Sequence, residues 1–260
     1  MKKKTLYFGS NLKMYKTAAE TAAYVEGVAN LTADLESTPV TRFLIPSFTS
    51  LPAAGAKAHS GLLLGAQNMH WEDNGQFTGE VSPRMLQELG FVRIIEIGHS
   101  ERRHVFHETN YECNRKVLSA LAHGFTALLC VGETAEEKEF GVSDEVLAMQ
   151  TKIGLAGVPA EAIADSRVWL AYEPVWAIGV GGKPADPDYV ALRHARIRQT
   201  ICQLYPSAGS GAPILFGGSV NSSNANSYIR LDDVDGLFVG RAAWEAETFN
   251  ALLRQVLAEL

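Results

Sequence analysis

Eight short apolar runs recur along the chain, and each leads into a longer stretch of helical character. The runs are TLYFG (5–9), VTRFLI (40–45), GLLLGA (61–66), FVRIIEI (91–97), FTALLCV (125–131), RVWLAY (167–172), PILF (213–216) and DGLFV (235–239). Their nearly unbroken apolar character suits strands buried on both faces, as in a parallel sheet. Between them, TAAETAAYVEGVANLTADL returns its apolar residues every three or four positions. SPRMLQEL offers Ser82 as a helix cap and Pro83 at the first helical position. VSDEVLAMQTKIGLAG and DPDYVALRHARIRQTICQLY have the same helical spacing. Eight strand–helix alternations in 260 residues, with no Pro/Ser-rich linker, predict an α/β fold. It is a single (β/α)8 barrel of eight parallel strands with outer helices, one domain over 1–260. A doubly wound sheet is the competing arrangement, but no G-x-G-x-x-G follows the first strand. No internal sequence repeat or low-complexity tract interrupts the pattern.

Hydrophobic residues make up 47% and charged residues 20%, which supplies a sizeable core and excludes wholesale disorder. The net charge of −6 argues against a nucleic-acid partner, which calls for a basic face. The basic MKKK is followed by TLYFGSNLKMYK, which is no signal-peptide core. No 18-residue apolar run is present to span a membrane. Cys113, Cys130 and Cys202 are odd in number and widely spaced, which suits a reducing cytoplasm and neither a disulfide framework nor a zinc site. His104 and His107 stand three apart on a helix, without a cysteine pair or H-E-x-x-H. They read as an exposed helix face, so no metal and no cofactor are expected.

In such a barrel the chemistry sits where the strands end. The first strand runs into Asn11 and Lys13, the fourth into His99, and the sixth into Glu173. The seventh ends in Gly217-Gly218-Ser219 and the eighth in Gly240-Arg241. A cation, an imidazole and a carboxylate thus reach one rim beside two glycine-bearing turns. Taken singly, Glu173 could be a cap or an ion-pair partner, His99 a core histidine and Lys13 a surface lysine. Period two in RIIEIGH places Arg93, Ile95, Ile97 and His99 on one face, taken as the barrel interior. Glu96 is then expected in the helix layer, paired with an arginine. In AYEPVWAIGVGGKPAD the proline stops the strand, the apolar run can exclude water, and the glycines let the far end bend, so the segment reads as a lid.

IGHSERR, CVGET, AYEPVWAIG, GGSV and QNMHWEDNGQFTGEVSP together resemble the triosephosphate isomerase family, in its order and close to its spacing. The resemblance implies a TIM barrel that interconverts a ketose and an aldose phosphate of central carbohydrate metabolism (glycolysis and gluconeogenesis), in the cytoplasm, without metal or cofactor. It implies Glu173 as general base. It implies His99 as a neutral donor at a helix start capped by Ser100, and Lys13 and Asn11 as further groups facing the developing oxyanion. A glutamate base paired with a neutral histidine is the known pattern of that family and is not an independent result of spacing. Glu101 is implied near Lys13, Cys130 as packing beside the site, and Gly179, Gly217, Gly218, Ser219, Gly240 and Arg241 around the phosphate. The loop carrying Trp71 and Phe77 is implied to dock into a second subunit, with Thr78 near the partner's lysine, giving a homodimer.

Departures from the family cluster around the lid and phosphate rim. Leu12 stands where the family has Trp and Tyr15 where it has Asn; FGGS replaces YGGS, so Phe216 lacks a latching hydroxyl. The lid reads IGVGGK instead of IGTGK, with Val180 for threonine and one more glycine, and VGRAAW replaces VGGAS. A small phosphorylated sugar is the expected partner: triose phosphate first, a tetrulose (erythrulose) phosphate as the alternative. A Schiff-base aldolase using Lys13, or a phosphate-binding protein without turnover, are the readings from other function classes.

Overall fold

The structure, a computed structural model, describes residues 5–179 and 181–260; the basic start of the chain and the lid position Val180 lie outside the described residues. All eight apolar runs form strands: β1 (Leu6–Asn11), β2 (Val40–Ile45), β3 (Leu63–Ala66), β4 (Val92–Ile97), β5 (Thr126–Val131), β6 (Val168–Tyr172), β7 (Ile214–Phe216) and β8 (Gly236–Val239). Each pairs in parallel with its sequence neighbours, and β8 returns to β1 through Tyr7↔Gly236 to Ser10↔Val239, so the sheet closes into a barrel. The expected helices form where the caps are. Ser82 accepts from the Met85 N–H at the head of Pro83–Glu88, and Asp186 accepts from Asp188 and Tyr189 ahead of Pro187–Leu204. Thr17 and Glu20 bond reciprocally to start Ala18–Leu31.

The buried apolar residues fall into two clusters. One mixes strand and helix side chains and is the layer between barrel and helices. The other contains strand residues alone, among them Phe43, Ile45, Ile94, Leu128, Trp169, Leu215 and Phe238, and fills the barrel. Tyr7 and Phe43 pack on Trp169, and Phe43 stacks on Phe238, so the interior is a packed core and not a channel.

This division corrects the reading of β4. Ile94 belongs to the interior cluster, whereas Ile95 and Ile97 belong to the helix layer and Arg93 is exposed. Inward parity therefore runs through Ile94 and Glu96, and Glu96 lies in the barrel, not among arginines of the helix layer. His99 still reaches the site because Gly98 takes a left-handed turn, φ 70°, which breaks the strand's alternation before the histidine.

Candidate active site

A cavity of about 520 Å³ opens at the C-terminal ends of the strands. Asn11, Lys13, His99, Glu101 and Glu173 line it, together with Gly179 of the lid. Gly217, Gly218 and Ser219 beyond β7, with Gly240 and Arg241 beyond β8, complete the opposite wall. The rim residues expected from the sequence are therefore brought together.

Asn11 ends β1 on its inward parity, behind Tyr7 and Gly9. Its side-chain oxygen Oδ1 accepts from the Lys13 N–H at 2.6 Å and from Gln67 Nε2 at 3.2 Å; Gln67 also donates to the Lys13 main-chain carbonyl at 2.8 Å. These bonds hold Lys13 at φ 50°, a left-handed backbone that an L residue adopts only when its surroundings enforce it. The lysine ammonium lies 2.6 Å from Glu101 Oε1, as the resemblance implied. The Asn11 amide nitrogen points down into the barrel and donates to Glu96 Oε1 and Oε2 at 2.9 and 2.8 Å.

His99 caps its own helix. Its Nδ1 accepts from the Glu101 N–H at 3.2 Å, ahead of the helix Ser100–Val105. Ser100 is the first helical residue and not the cap, a correction that follows from the turn at Gly98. A ring nitrogen that accepts a bond carries no proton, so the neutral ring is protonated on Nε2. That atom lies 3.5 Å from Glu173 Oε2.

Glu173 is only 4% exposed. A Cβ on Gly217 would stand 2.9 Å from Glu173 Oε1 and 2.8 Å from its Cγ, so Gly217 makes room for the carboxylate. Glu173 Oε2 is buried and has no hydrogen-bond partner among the described residues. An orphaned buried carboxylate oxygen is costly, and here it is an unspent proton acceptor. Cys130 lies beneath it. Burial, then the Glu173 and Glu96 carboxylates, push its thiol well up, so it packs as a thiol and has no activating base.

β6 ends at Tyr172, two residues before Pro174. The lid then makes a 3-10 turn at Val175–Ala177. Trp176 Nε1 donates to Glu133 Oε1 at 2.8 Å, and the hydroxyls of Tyr172 and Tyr189 donate to the same carboxylate. Ser219 Oγ donates to the Ala177 carbonyl at 2.5 Å, tying the lid's near stem to the β7 turn. Phe216 is fully buried and packs on Tyr172, His194 and Tyr228. Tyr228 donates its hydroxyl to the Ala185 carbonyl beyond the lid, at 2.6 Å. Arg241 is exposed on the cavity wall and makes no ion pair with any described acid.

Sequence reasoning set Glu96 in the wrong layer and missed Glu133, Gln67 and Trp244. The last donates Nε1 to the Asn11 carbonyl at 2.9 Å and carries Tyr15 against its ring at 4.5 Å. Gln67 was accessible from parity, since Leu63, Gly65 and Gln67 share one face. Glu133 was visible as the acid in CVGET. Trp244 gave no signal without the pairing of strands, and Glu96, visible as an acid in an apolar run, could not be set on its face without it. Thr78 sits in an exposed loop with Phe77, 44% exposed. His104 is exposed on its helix as expected, whereas His107, also exposed, lies past the helix end at Val105 with φ 57°.

A barrel with a free carboxylate oxygen facing a protonated imidazole nitrogen, beside a lysine and glycine-rich main chain, is a site for moving a proton on a small anionic substrate. A protein-family model described as triosephosphate isomerase matches residues 6–256. The chain belongs to the triosephosphate isomerase family and is an isomerase of that family. It is 44% identical to the L-erythrulose-1-phosphate isomerase of Rhizobium etli, across 98% of this chain and 94% of that protein. It is 40% identical to the protein of the same name from Rhizobium meliloti, across 98% of each. It is 43% identical to the triosephosphate isomerase of Chlamydia trachomatis serovar L2, across 97% of this chain and 90% of that one.

Proposed function

We propose that this protein isomerises ketose 1-phosphates of the form R–CH(OH)–CO–CH2–OPO3²⁻, with L-erythrulose 1-phosphate as its substrate. Glu173 removes the proton from C3, whose electrons form the enediolate, and returns a proton to C2. The proton of the C3 hydroxyl passes to O2 by way of His99 Nε2, so the carbonyl moves from C2 to C3 and no other reagent is consumed. The orphaned Glu173 Oε2 beside His99 Nε2 is the observation that carries this reading. His99 Nε2–H and the Lys13 ammonium face the oxygens on which charge develops. The main chain at Gly217–Ser219, Gly240 and Gly179 surrounds the phosphate, and Arg241, a cation with no acid partner among the described residues, completes its rim.

The residue R separates two readings. With R a hydrogen the substrate is dihydroxyacetone phosphate and the product an aldose phosphate; with R a hydroxymethyl group the product is a tetrulose 4-phosphate. The tetrulose reading is supported by the Rhizobium relatives at 44% and 40% identity and by a phosphate rim and lid that depart from the family pattern. The triose reading, which would place the enzyme in glycolysis and gluconeogenesis, is supported by the Chlamydia relative at 43%. In either case the protein is a cytoplasmic homodimer joined through the loop carrying Phe77 and Thr78.

Side-by-side assays of dihydroxyacetone phosphate and both enantiomers of erythrulose 1-phosphate decide between them. A kcat/KM at least 100-fold higher for the L-tetrulose is expected, which is about 2.7 kcal/mol of transition-state discrimination. A triose rate near the diffusional ceiling of ~10⁸ M⁻¹s⁻¹ with a slower tetrulose rate would reassign the substrate.

A further inference from the structure

The floor of the cavity holds a carboxyl group that the proton-transfer scheme does not use. Glu96 is 1% exposed and stands on the inward face of β4, among Ile94, Leu128 and the other side chains that fill the barrel. A carboxyl in that surrounding is costly unless its oxygens are bonded. Its hydrogen-bonding neighbours are few: Asn11 Nδ2 at 2.9 and 2.8 Å, and Cys130 Sγ at 4.0 Å. The groups that act on it electrostatically are Glu173, Lys13 and Glu101, and the charge of Glu173 is repulsive. A buried acid placed against the catalytic carboxylate opposes folding and is not there as a core filler.

Asn11 has only two ends. Its oxygen is bonded by the Lys13 N–H and by Gln67; its nitrogen is bonded to Glu96. Without an acceptor below, the carboxamide of a residue 6% exposed has no partner for its N–H groups and no reason to keep its oxygen on Lys13. Lys13, at φ 50°, depends on that oxygen.

We infer that Glu96 is a positioning residue: as the hydrogen-bond acceptor in the barrel floor it fixes the Asn11 carboxamide, and through Asn11 it fixes the left-handed backbone that aims the Lys13 ammonium into the site. The acceptor oxygen performs this, so a neutral amide at the same place serves as well.

The experiment is a mutant cycle read with whichever ketose 1-phosphate the protein turns over, so its outcome is separate from the choice of R. Glu96→Leu removes the acceptor with an apolar side chain of similar length; Glu96→Val does so at nearly the glutamate's volume, should leucine prevent folding. Each is measured alone and on top of Asn11→Ala. Leucine or valine at 96 is expected to lower kcat/KM by 10- to 100-fold in the wild-type background and by less than twofold in the Asn11→Ala background. Glu96→Gln is expected to stay within threefold of wild type. Equal losses in both backgrounds would show that Glu96 acts by another route. A glutamine variant as impaired as the leucine variant would show that charge matters and not the acceptor, and a fully active leucine variant would show that it does nothing. Any of these overturns the inference. If none of the three sugars reacts, the same cycle is read as the affinity for 2-phosphoglycolate, whose carboxylate carries the charge of the enediolate. The same pattern of losses is expected there, and equal losses in both backgrounds overturn the inference in the same way.

Discussion

Replacing Gly132 by alanine tests how tightly Glu173, the proposed base, is held. Gly132 follows β5, and its ideal Cβ would stand 1.9 Å from the Glu173 carbonyl oxygen and 2.7 Å from the carbonyl carbon. Real Cβ contacts stay beyond 3.0 Å, so the two backbones must part by about 1.1 Å, the difference between those two distances. Gly132 cannot easily yield, because Gln150 bonds both its N–H, at 2.8 Å, and its carbonyl, at 3.0 Å. The displacement therefore passes to the peptide that carries the base. Misplacing a reacting group by about 1 Å costs on the order of 100-fold in rate. Overpacking of this kind costs about 1–3 kcal/mol, which for a chain of this size lowers Tm by roughly 2–10 °C. Steady-state kinetics, thermal unfolding and inorganic phosphate binding are measured together on Gly132→Ala. The expected result is kcat down about 100-fold, Tm lowered, and phosphate affinity within twofold of wild type, since all of the proposed phosphate rim but Gly179 follows β7 and β8. Gly211→Ala, where no atom lies within 4 Å of the added carbon, is the control and should change none of these. A variant that loses stability but keeps kcat within threefold would refute the claim that the β5–β6 contact sets the position of Glu173.

Arg241→Ala is expected to weaken inorganic phosphate binding about fivefold at low salt, a modest loss because the side chain is exposed and screened. The difference from wild type should shrink in high salt while kcat hardly changes; an unaltered phosphate affinity would remove Arg241 from the rim. Glu96→Gln should change how stability depends on pH. Burial first, and then the Glu173 charge, raise the Glu96 carboxyl well above its ordinary value of 4.5. Above about that pH the unfolded chain releases a proton that the folded chain keeps, so this group's contribution falls with rising pH until the folded-state value is passed. The glutamine variant should therefore unfold like the wild type near pH 4 and become progressively the more stable as pH rises, by at most about 1.4 kcal/mol per pH unit. A stability gap that does not vary with pH would mean that Glu96 is ionised in the fold.

Much of the fold was legible in the chain because its signals are local. A strand buried on both faces needs an unbroken apolar run, and a helix start needs a residue such as Ser82 or Asp186 whose side chain reaches its own backbone two or three residues on. Eight such alternations leave a closed barrel as the simplest way to cover every strand. The rim residues followed, because strand ends are where a barrel exposes polar groups: His99, Glu173 and the turns at Gly217 and Gly240 lie one to two residues past an apolar run, and Lys13 four.

What the chain could not declare alone is which face of an all-apolar strand looks inward. In RIIEI both parities are apolar but for one acid and one arginine, and the arginine misleads, since Arg93 at the strand's open start is exposed whichever face it shares. Only the pairing of β4 with β3 and β5 puts Glu96 in the barrel, and only the left-handed turn at Gly98 brings His99 back to it. The same holds for Glu96 and Asn11, for Gly132 and Glu173, and for Trp244 and Asn11. Each is a contact between residues tens to hundreds of positions apart, which no local propensity encodes. The sequence by itself determined the barrel and the inventory of its rim. The tertiary structure decided which of those groups are held, by what, and which carboxylate oxygen is left free to take a proton.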